Sequence, residues 1–397
     1  PLMARQERKQ LQFWRQSNLL ESPPFWMYII GFLLVLGPLI TVHELGHYLV
    51  GRWLGVGADV FSVGMGKEII GRTDKRGTRW RLSAIPLGGY VQFKGDMNPA
   101  SIPDPDAPAD NPADKGNGSF QHASLWKRTL IVLAGPVTNL VVAIGIFAAF
   151  FALLGNPTVE NPRASTQIGA FAEISPAREA GMQEGDQLVA IGDAKVETFT
   201  DILQEVALYP GKDIVITAER GDATLTFPMT IGSVEEEDGF GNKGTLGRIG
   251  IAPADVTYIY EDVPLASTIP MAAERCWDLV NMMVTGIKQI VFGERSIKEL
   301  GGPIKIAKYS GERMSLGPNA FIEFAALISL NLAFINLLPI PALDGGHLAF
   351  YAAEAVRRKP VGPRAMEWAY RGGMAFVLLF MVVVTFNDLV SLPLFGS

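Results

Sequence analysis

Cysteine is almost absent. Cys276 is the only one in 397 residues, so no intrachain disulfide can form, and neither a cysteine-built zinc site nor an iron–sulfur cluster can be assembled. Charge is scarce as well, at 19% of residues against 48% hydrophobic, and the mean hydropathy is +0.22. That balance is too apolar for an ordinary soluble enzyme. An excess of basic residues is also missing. With a net charge of −6 and a pI near 5.4 the chain has no broad cationic footprint, and nucleic acid is not expected as a partner. Histidine occurs four times, which makes the position of each one informative.

What the chain does have is long uncharged sequence. Residues 25–42, 129–159, 324–343 and 372–387 contain no Asp, Glu, Lys or Arg, and each approaches the length of about 20 residues that a helix needs to cross about 30 Å of hydrocarbon. Four transmembrane helices are therefore predicted, embedding the chain in a lipid bilayer. The first continues through His43 and His47 to Arg52, whose side chain can snorkel to an interface. No small-residue cleavage site follows that run, which argues against a removable signal peptide. The predicted organisation is an extension at 1–24; spans at 25–53, 127–158, 320–358 and 364–392; a strand-bearing region with a flexible loop at 54–126; an insert at 159–262; and an amphipathic interfacial region at 263–319.

Orientation follows from where Lys and Arg gather. Residues 52–128 hold 11 basic side chains, and Arg357, Arg358, Lys359 and Arg364 follow the third span, so both regions are expected to face the cytoplasm. Between Val159 and Asp262 there are 7 basic and 19 acidic residues, a net −12 against +6 for the remainder. This acidic insert and both termini are expected on the opposite, outer side of the membrane. Arg5, Arg8, Lys9 and Arg15 run against that topology unless their segment lies in the interface as an amphipathic helix.

The insert reads as a small α/β domain. Ser175-Pro176 supplies a helix N-cap with proline at the first helical position, and Gly181 a stop. Strand candidates at 188–191, 213–219 and 224–230 are separated by glycine-bearing turns. The string Ser175-Pro176-Ala177, Ala180-Gly181-Met182, Gly185-Asp186, Leu188 and Ile191 resembles a bacterial PDZ domain, a module that binds an extended peptide or a C-terminus by strand addition. A structural α/β spacer is the alternative. Segments 99–118 and 235–244 read as mobile loops rather than metal sites.

His43-Glu44-Leu45-Gly46-His47 is an H-E-x-x-H motif, and helical periodicity puts its two imidazoles on one face at i and i+4, where both can reach one ion. Two histidines and a glutamate inside an apolar span cost several kcal/mol unless partnered, so the cluster is a functional-site candidate from its depth alone. A catalytic zinc needs a third protein ligand and an open position for water. Asp344 is the candidate, in Asn336-Leu337-Leu338-Pro339-Ile340-Pro341-Ala342-Leu343-Asp344-Gly345-Gly346; on position alone it could equally mark a membrane boundary. His43 and His47 lie toward the cytoplasmic end of the first span, so Asp344 can reach them only if an even number of crossings intervenes. The second and third spans provide that number. Residues 264–292, with Glu274, Arg275, Asp278 and Lys288, must then lie on the outer face without crossing.

Asn139, Asn331 and Asn336 are amides within apolar spans; each could position a substrate carbonyl or hold helices together. His347, one turn past Asp344, could support the metal site or sit at an interface. Leu300-Gly301-Gly302-Pro303 reads as either a flexible gate or a plain turn. Residues 60–66, 79–82 and 85–93 look strand-like. A membrane scaffold carrying a structural metal, and a transporter using midplane ionisable groups, remain open at this level; the transporter lacks an inverted repeat of spans.

The HELGH span, Gly135-Pro136-Val137-Thr138-Asn139 in the second span and the NLLPIPALDGG segment together resemble the site-2 protease family of intramembrane zinc metalloproteases, and within it the regulator of sigma-E protease (RseP) type with a single PDZ-like insert. The resemblance implies a polytopic α-helical fold of four transmembrane helices with a re-entrant β-loop, one Zn²⁺ held by His43, His47 and Asp344, and Glu44 as general base. It implies substrate contacts at Asn336, with Asn331 and Asn139 as further candidates, and at Gly88 and Gly89 in the β-loop Pro86-Leu87-Gly88-Gly89-Tyr90, whose free edge could take an unwound segment as an added strand. The implied partners are single-pass membrane proteins, anti-sigma factors or remnant signal peptides among them, already cut by an upstream site-1 protease as in an envelope stress response.

Overall fold

The computed structural model describes residues 22–95, 118–237, 243–254, 256–293, 295–297, 300–359 and 361–390. The fragments 1–21 and 96–117 lie outside the described residues, and with them the basic N-terminal segment and most of the 99–118 loop. Two compact units emerge, one built from Phe150–Leu265 and the other from Pro23–Ala149 with Ala266–Ser397.

The second unit begins with α1 (Phe25–Trp53), which runs unbroken through the two histidines despite Pro38. β1 (Ala58–Thr73) and β2 (Arg79–Phe93) follow as a long antiparallel pair. Their turn is set by Asp74, whose Oδ1 accepts the N–H groups of Arg76 at 2.8 Å and Thr78 at 3.0 Å, while Gly77 takes φ 88°. The register is doubled. Phe61 faces both Val91 and Trp80, Ser62 both Tyr90 and Arg81, and Val63 both Gly89 and Leu82, so the first part of β1 has β2 on both flanks. Consequently the last part of β2, from Gly89 to Phe93, pairs on one side only and turns its other edge toward α1. The strand character expected at 60–66 continues to Thr73, a stretch whose Lys67, Glu68 and Arg72 hide the alternation from a reading of the sequence. Phe61, Val91 and Phe93 pack with Tyr48 of α1 and Ile131 and Val132 of α2 (Leu125–Leu154), fixing the sheet to the helices.

The insert opens with β3 (Asn156–Val159), α3 (Pro162–Thr166), β4 (Ile168–Phe171) and α4 (Pro176–Glu179). Then come β5 (Gln187–Ile191), β6 (Ala194–Lys195), α5 (Phe199–Ala207), β7 (Asp213–Arg220) and β8 (Ala223–Thr230). β9 (Gly232–Glu237), β10 (Lys243–Arg248), β11 (Ile251–Pro253) and β12 (Tyr258–Glu261) complete it. The central sheet has the order β6-β5-β7-β8, while β11 pairs β4 and β12 pairs β3. α4 starts where Ser175 accepts the Arg178 N–H ahead of Pro176, and α5 carries a reciprocal capping box between Thr198 and Asp201. Ile168, Leu188, Ile202, Ile216 and Phe227 fill a core in which α5 lies on the sheet. Of the acidic stretch at 235–244, expected as a loop, the two ends are paired, Glu237 facing Lys243 with opposite charges across the strands, while 238–242 lie outside the described residues.

One buried carboxylate tests the insert's stability. Asp186 is 1% exposed and accepts Arg220 Nε at 2.6 Å, Arg220 Nη2 at 2.7 Å and the Gln183 N–H at 2.8 Å. Burial by itself would raise its pKa; the guanidinium and the amide outweigh burial and hold it below the usual carboxylate range. A depressed folded value contributes stability that is complete above the unfolded value of about 3.9 and is lost as pH falls through the folded one. Asp186→Asn is expected to cost the insert about 2 kcal/mol at neutral pH, with the difference from the parent shrinking under acid. Hydrogen exchange of the β5 amides in the full chain measures this, and equal protection in variant and parent at neutral pH would refute it.

Beyond the insert, α6 (Leu265–Val291) buries Thr268, Ala272, Cys276 and Leu279 on one face and exposes Glu274, Arg275, Asp278 and Lys288. α7 (Pro303–Ser315) is capped from a distance: Asp388 accepts the N–H groups of Gly302 and Lys305, each at 3.0 Å, so the 300–303 turn is tied down rather than free. α8 (Pro318–Leu337) ends where Pro339 and Pro341 forbid continuation, and α9 (Asp344–Arg357) starts after a folded-back turn. The third span, expected to run on through the LDGG segment, is thus broken there. In that turn Ala342 adopts φ 94°, and Gly346 lies so close to Ile340 that a Cβ would come 2.5 Å from its carbonyl oxygen. α10 (Pro363–Val390) closes the described chain.

Four helices among the described residues are long and apolar enough to cross a membrane: Phe25–Trp53, Leu125–Leu154, Pro318–Leu337 and Arg364–Val390. α6 is not one of them. The apolar side chains these helices leave exposed, such as Leu34, Val141, Leu379 and Val382, suit hydrocarbon rather than water. The molecule is an α-helical polytopic membrane protein with a sheet-bearing region and a sheet-bearing insert.

Candidate metal centre and active site

Three elements remote in sequence meet at one point. α1 contributes His43 and His47, 7% and 8% exposed, on one face one turn apart. α9 contributes Asp344 from its first turn. Asp344 Oδ2 lies 3.1 Å from His43 Nε2 and 3.5 Å from His47 Nε2, and the two Nε2 atoms are 3.2 Å apart. Between them runs α2. It closes on α1 at Gly46, where a Cβ would fall 2.7 Å from the Ala134 carbonyl oxygen, and it presents Gly135 to the histidines. α9 is held to α2 by the Arg128–Glu354 ion pair at 2.9 Å, with the Arg128 guanidinium 5.0 Å over the Tyr351 ring.

This set fits a divalent ion. Ligands about 2.0–2.2 Å from a tetrahedral Zn²⁺ stand about 3.4 Å from one another, and the three separations observed are 3.1, 3.2 and 3.5 Å. Asp344 Oδ2 is buried and receives no well-directed hydrogen bond among the described residues. A Cβ on Gly135 would sit against His47 Nε2, 2.5 Å from His47 Cε1 and 2.7 Å from His43 Nε2, so the missing side chain is what leaves the centre clear. His47 Nδ1 donates to the Ile131 carbonyl at 2.7 Å, which leaves Nε2 free to coordinate.

The centre opens on a cleft of about 230 Å³ lined by Glu44, Gly89, Tyr90, Val91, Asn336 and His347 besides His43, His47 and Asp344. Glu44 accepts the Val91 N–H, a main-chain donor from the one-sided edge of β2. Gly89 is buried beside Glu44, while Gly88, with φ 87°, packs toward Met65 outside the lining. Asn331 lies on α8 outside the lining, and Asn139 is fully buried behind His43 with its Nδ2 3.3 Å from His43 Nδ1. Tyr370 of α10 is 1% exposed with its hydroxyl 2.6 Å from His347 Nδ1. Sequence reasoning missed Tyr370, the Ile131 carbonyl, the Val91 N–H and the clearance at Gly135; the one signal available was Pro136, which marks the place where α2 is disturbed next to the histidines.

Two imidazoles one turn apart, a distant carboxylate on the same point and a glutamate beside them, all held by apolar helices, define a metallopeptidase centre of an integral membrane protein. The chain belongs to peptidase family M50, whose model matches residues 31–380. A protein of Agrobacterium fabrum named as a zinc metalloprotease is 42% identical over 367 residues, covering 92% of this chain and 96% of its own length. A zinc metalloprotease by name from Rhizobium meliloti is 39% identical over 375 residues, with 94% and 98% covered. Metalloprotease MmpA of Caulobacter vibrioides is 33% identical over 387 residues, with 92% and 96% covered. The protein is a zinc metalloprotease.

Proposed function

We propose that the chain is an intramembrane endopeptidase that cuts single-pass membrane proteins within or beside their spans after an upstream protease has removed the outer domain. The observation that carries this reading is the convergence of His43, His47 and Asp344 within 4.8 Å, next to both Glu44 and the one-sided edge of β2. His43, His47 and Asp344 would hold one Zn²⁺, which supplies Lewis acidity to polarise the scissile carbonyl and acidify a water. Glu44 is placed to take a proton from that water and return it to the leaving amine as the C–N bond breaks. A membrane helix hides its peptide bonds in internal hydrogen bonds, so the substrate must unwind and its freed groups must find partners. The edge from Gly89 to Phe93 offers them in the manner of an added strand, and Asn336 borders the same cleft.

The region of β1 and β2 reads as a β-loop dipping into the membrane, with Ile69 and Ile70 61% and 69% exposed. The insert reads as a PDZ-like domain on the periplasmic side of a bacterial inner membrane, with the active site toward the cytoplasm where Arg357, Arg358 and Lys359 gather. Anti-sigma factors and remnant signal peptides are the substrate types this reading favours. The PDZ-like insert would exclude untrimmed ectodomains or tether the newly made C-terminus.

The test is cleavage of one single-pass substrate, untrimmed and trimmed, by the full chain in liposomes. Cleavage of the trimmed form inside its span, lost on chelation and restored by zinc, is expected. Cuts confined to soluble segments would overturn the proposal. Deleting residues 165–251 should release cleavage of the untrimmed form if the insert is a sieve, and abolish cleavage of both forms if it is a tether.

A further inference from the structure

The two ligand histidines are each held from behind by α2, but by different chemistry. His47 Nδ1 meets a backbone carbonyl, that of Ile131, at 2.7 Å. His43 Nδ1 meets the side-chain amide of Asn139 at 3.3 Å. Asn139 is 0% exposed, its backbone carbonyl accepts Ser329 Oγ at 2.8 Å from α8, and the far end of its amide has no hydrogen-bond partner among the described residues. The backbone at this position is thus anchored to α8, and among the described residues the Asn139 side chain meets His43 alone.

A buried amide with one unpartnered end carries a desolvation cost. An apolar residue of similar size would avoid it, so the contact with His43 calls for a reason. The two ends of an amide are nearly identical in shape, and hydrogen-bond chemistry decides which one faces a neighbour. With Nδ2 toward His43, the imidazole Nδ1 must accept, the ring proton moves to Nε2, and Nε2 points a hydrogen at Asp344 instead of a lone pair at an ion. With Oδ1 toward His43, Nδ1–H donates and Nε2 is left as a ligand. Only the second arrangement makes His43 the equivalent of His47, whose Nδ1–H is taken by a carbonyl.

Resting on the zinc site proposed above, we infer that Asn139 is a positioning residue: its Oδ1 accepts the His43 Nδ1–H, fixing the tautomer and ring orientation that turn Nε2 toward the metal. Both acceptors behind the histidines are then neutral. Asp344 is left as the one anionic ligand, which preserves the Lewis acidity that a carboxylate at position 139 would diminish. Substrate positioning is the competing role for Asn139, and it predicts a different defect.

The experiment is zinc affinity by chelator competition, measured on the detergent-solubilised full chain for the parent, Asn139→Ala, Asn139→Leu, Asn139→Asp and His43→Ala. Asn139→Leu and Asn139→Ala are expected to bind zinc about 10–100-fold more weakly, and Asn139→Asp, which keeps an acceptor and discards the donor, to return within a few-fold of the parent. Thermal unfolding of the metal-free proteins identifies any variant that loses zinc by misfolding, and the size-matched Leu variant keeps the comparison interpretable if Ala proves unstable. Parent-like zinc affinity in Asn139→Leu together with a raised KM would overturn the inference in favour of substrate contact. Asp binding as weakly as Leu would overturn it in favour of a donor or packing role. If the parent takes up no zinc, or His43→Ala keeps it, the proposed metal site itself fails; if His43→Ala loses zinc and the Asn139 variants do not, only the role of Asn139 fails.

Discussion

Glu44→Gln is expected to keep one zinc per chain and to lower cleavage by about a thousandfold. General acid–base groups contribute about 10²–10⁴-fold, and Glu44 is the carboxylate in the cleft that is not among the three converging residues. The substitution preserves size, and an amide oxygen can still accept the Val91 N–H, so the edge of β2 should stay in place. What disappears is a group able to accept and return a proton. Elemental analysis beside a cleavage assay separates the two effects: loss of zinc would make Glu44 a ligand or a structural support, and retained cleavage would remove it from the chemistry.

Gly135→Ala should do the reverse, losing metal and activity together. A Cβ at this position would lie 2.7 Å from His43 Nε2 and 2.5 Å from His47 Cε1, closer than real Cβ atoms approach. Either helix must then retreat. Zinc ligation tolerates displacements of about 0.2 Å, whereas relieving this overlap needs a shift several times larger, at a packing cost of about 1–3 kcal/mol. Zinc content is expected to fall below a tenth of the parent value, with cleavage undetectable. Gly145→Ala supplies the control, since it lies on the same helix with nothing among the described residues within 4 Å of its Cβ position. A Gly135→Ala protein that holds zinc and cuts normally would mean that α1 and α2 are farther apart than described.

The parts of this molecule that could be read from its sequence are those with local causes. The spans are visible because hydrocarbon tolerates no charge, and His43 and His47 share a face because four residues make about one helical turn. Counting crossings shows only that Asp344 is able to share their side of the membrane; its role as a third ligand comes from the resemblance of its segment to a known family. The doubled register of β1 and β2 could not be read, because it depends on which of two β2 segments packs against which flank, and the charged residues between Lys67 and Arg72 blur the alternation. Nor could the break between Leu337 and Asp344 be located, since prolines permit a bend without stating its angle. The clearance at Gly135 and the contact from Asn139 depend on how closely two helices approach, a distance set by Gly46 and its neighbours in three dimensions rather than by any repeat along the chain.

The three groups that converge to suit a metal ion come from the first and last thirds of the polypeptide. During synthesis the helix bearing His43 and His47 enters the bilayer long before Asp344 has been translated, and until α9 docks against Arg128 only two of the three donors exist. With that metal site as proposed, a chain still on the ribosome or prematurely terminated would hold at most two of the three donors, and proteolytic competence would arrive only when synthesis is nearly finished.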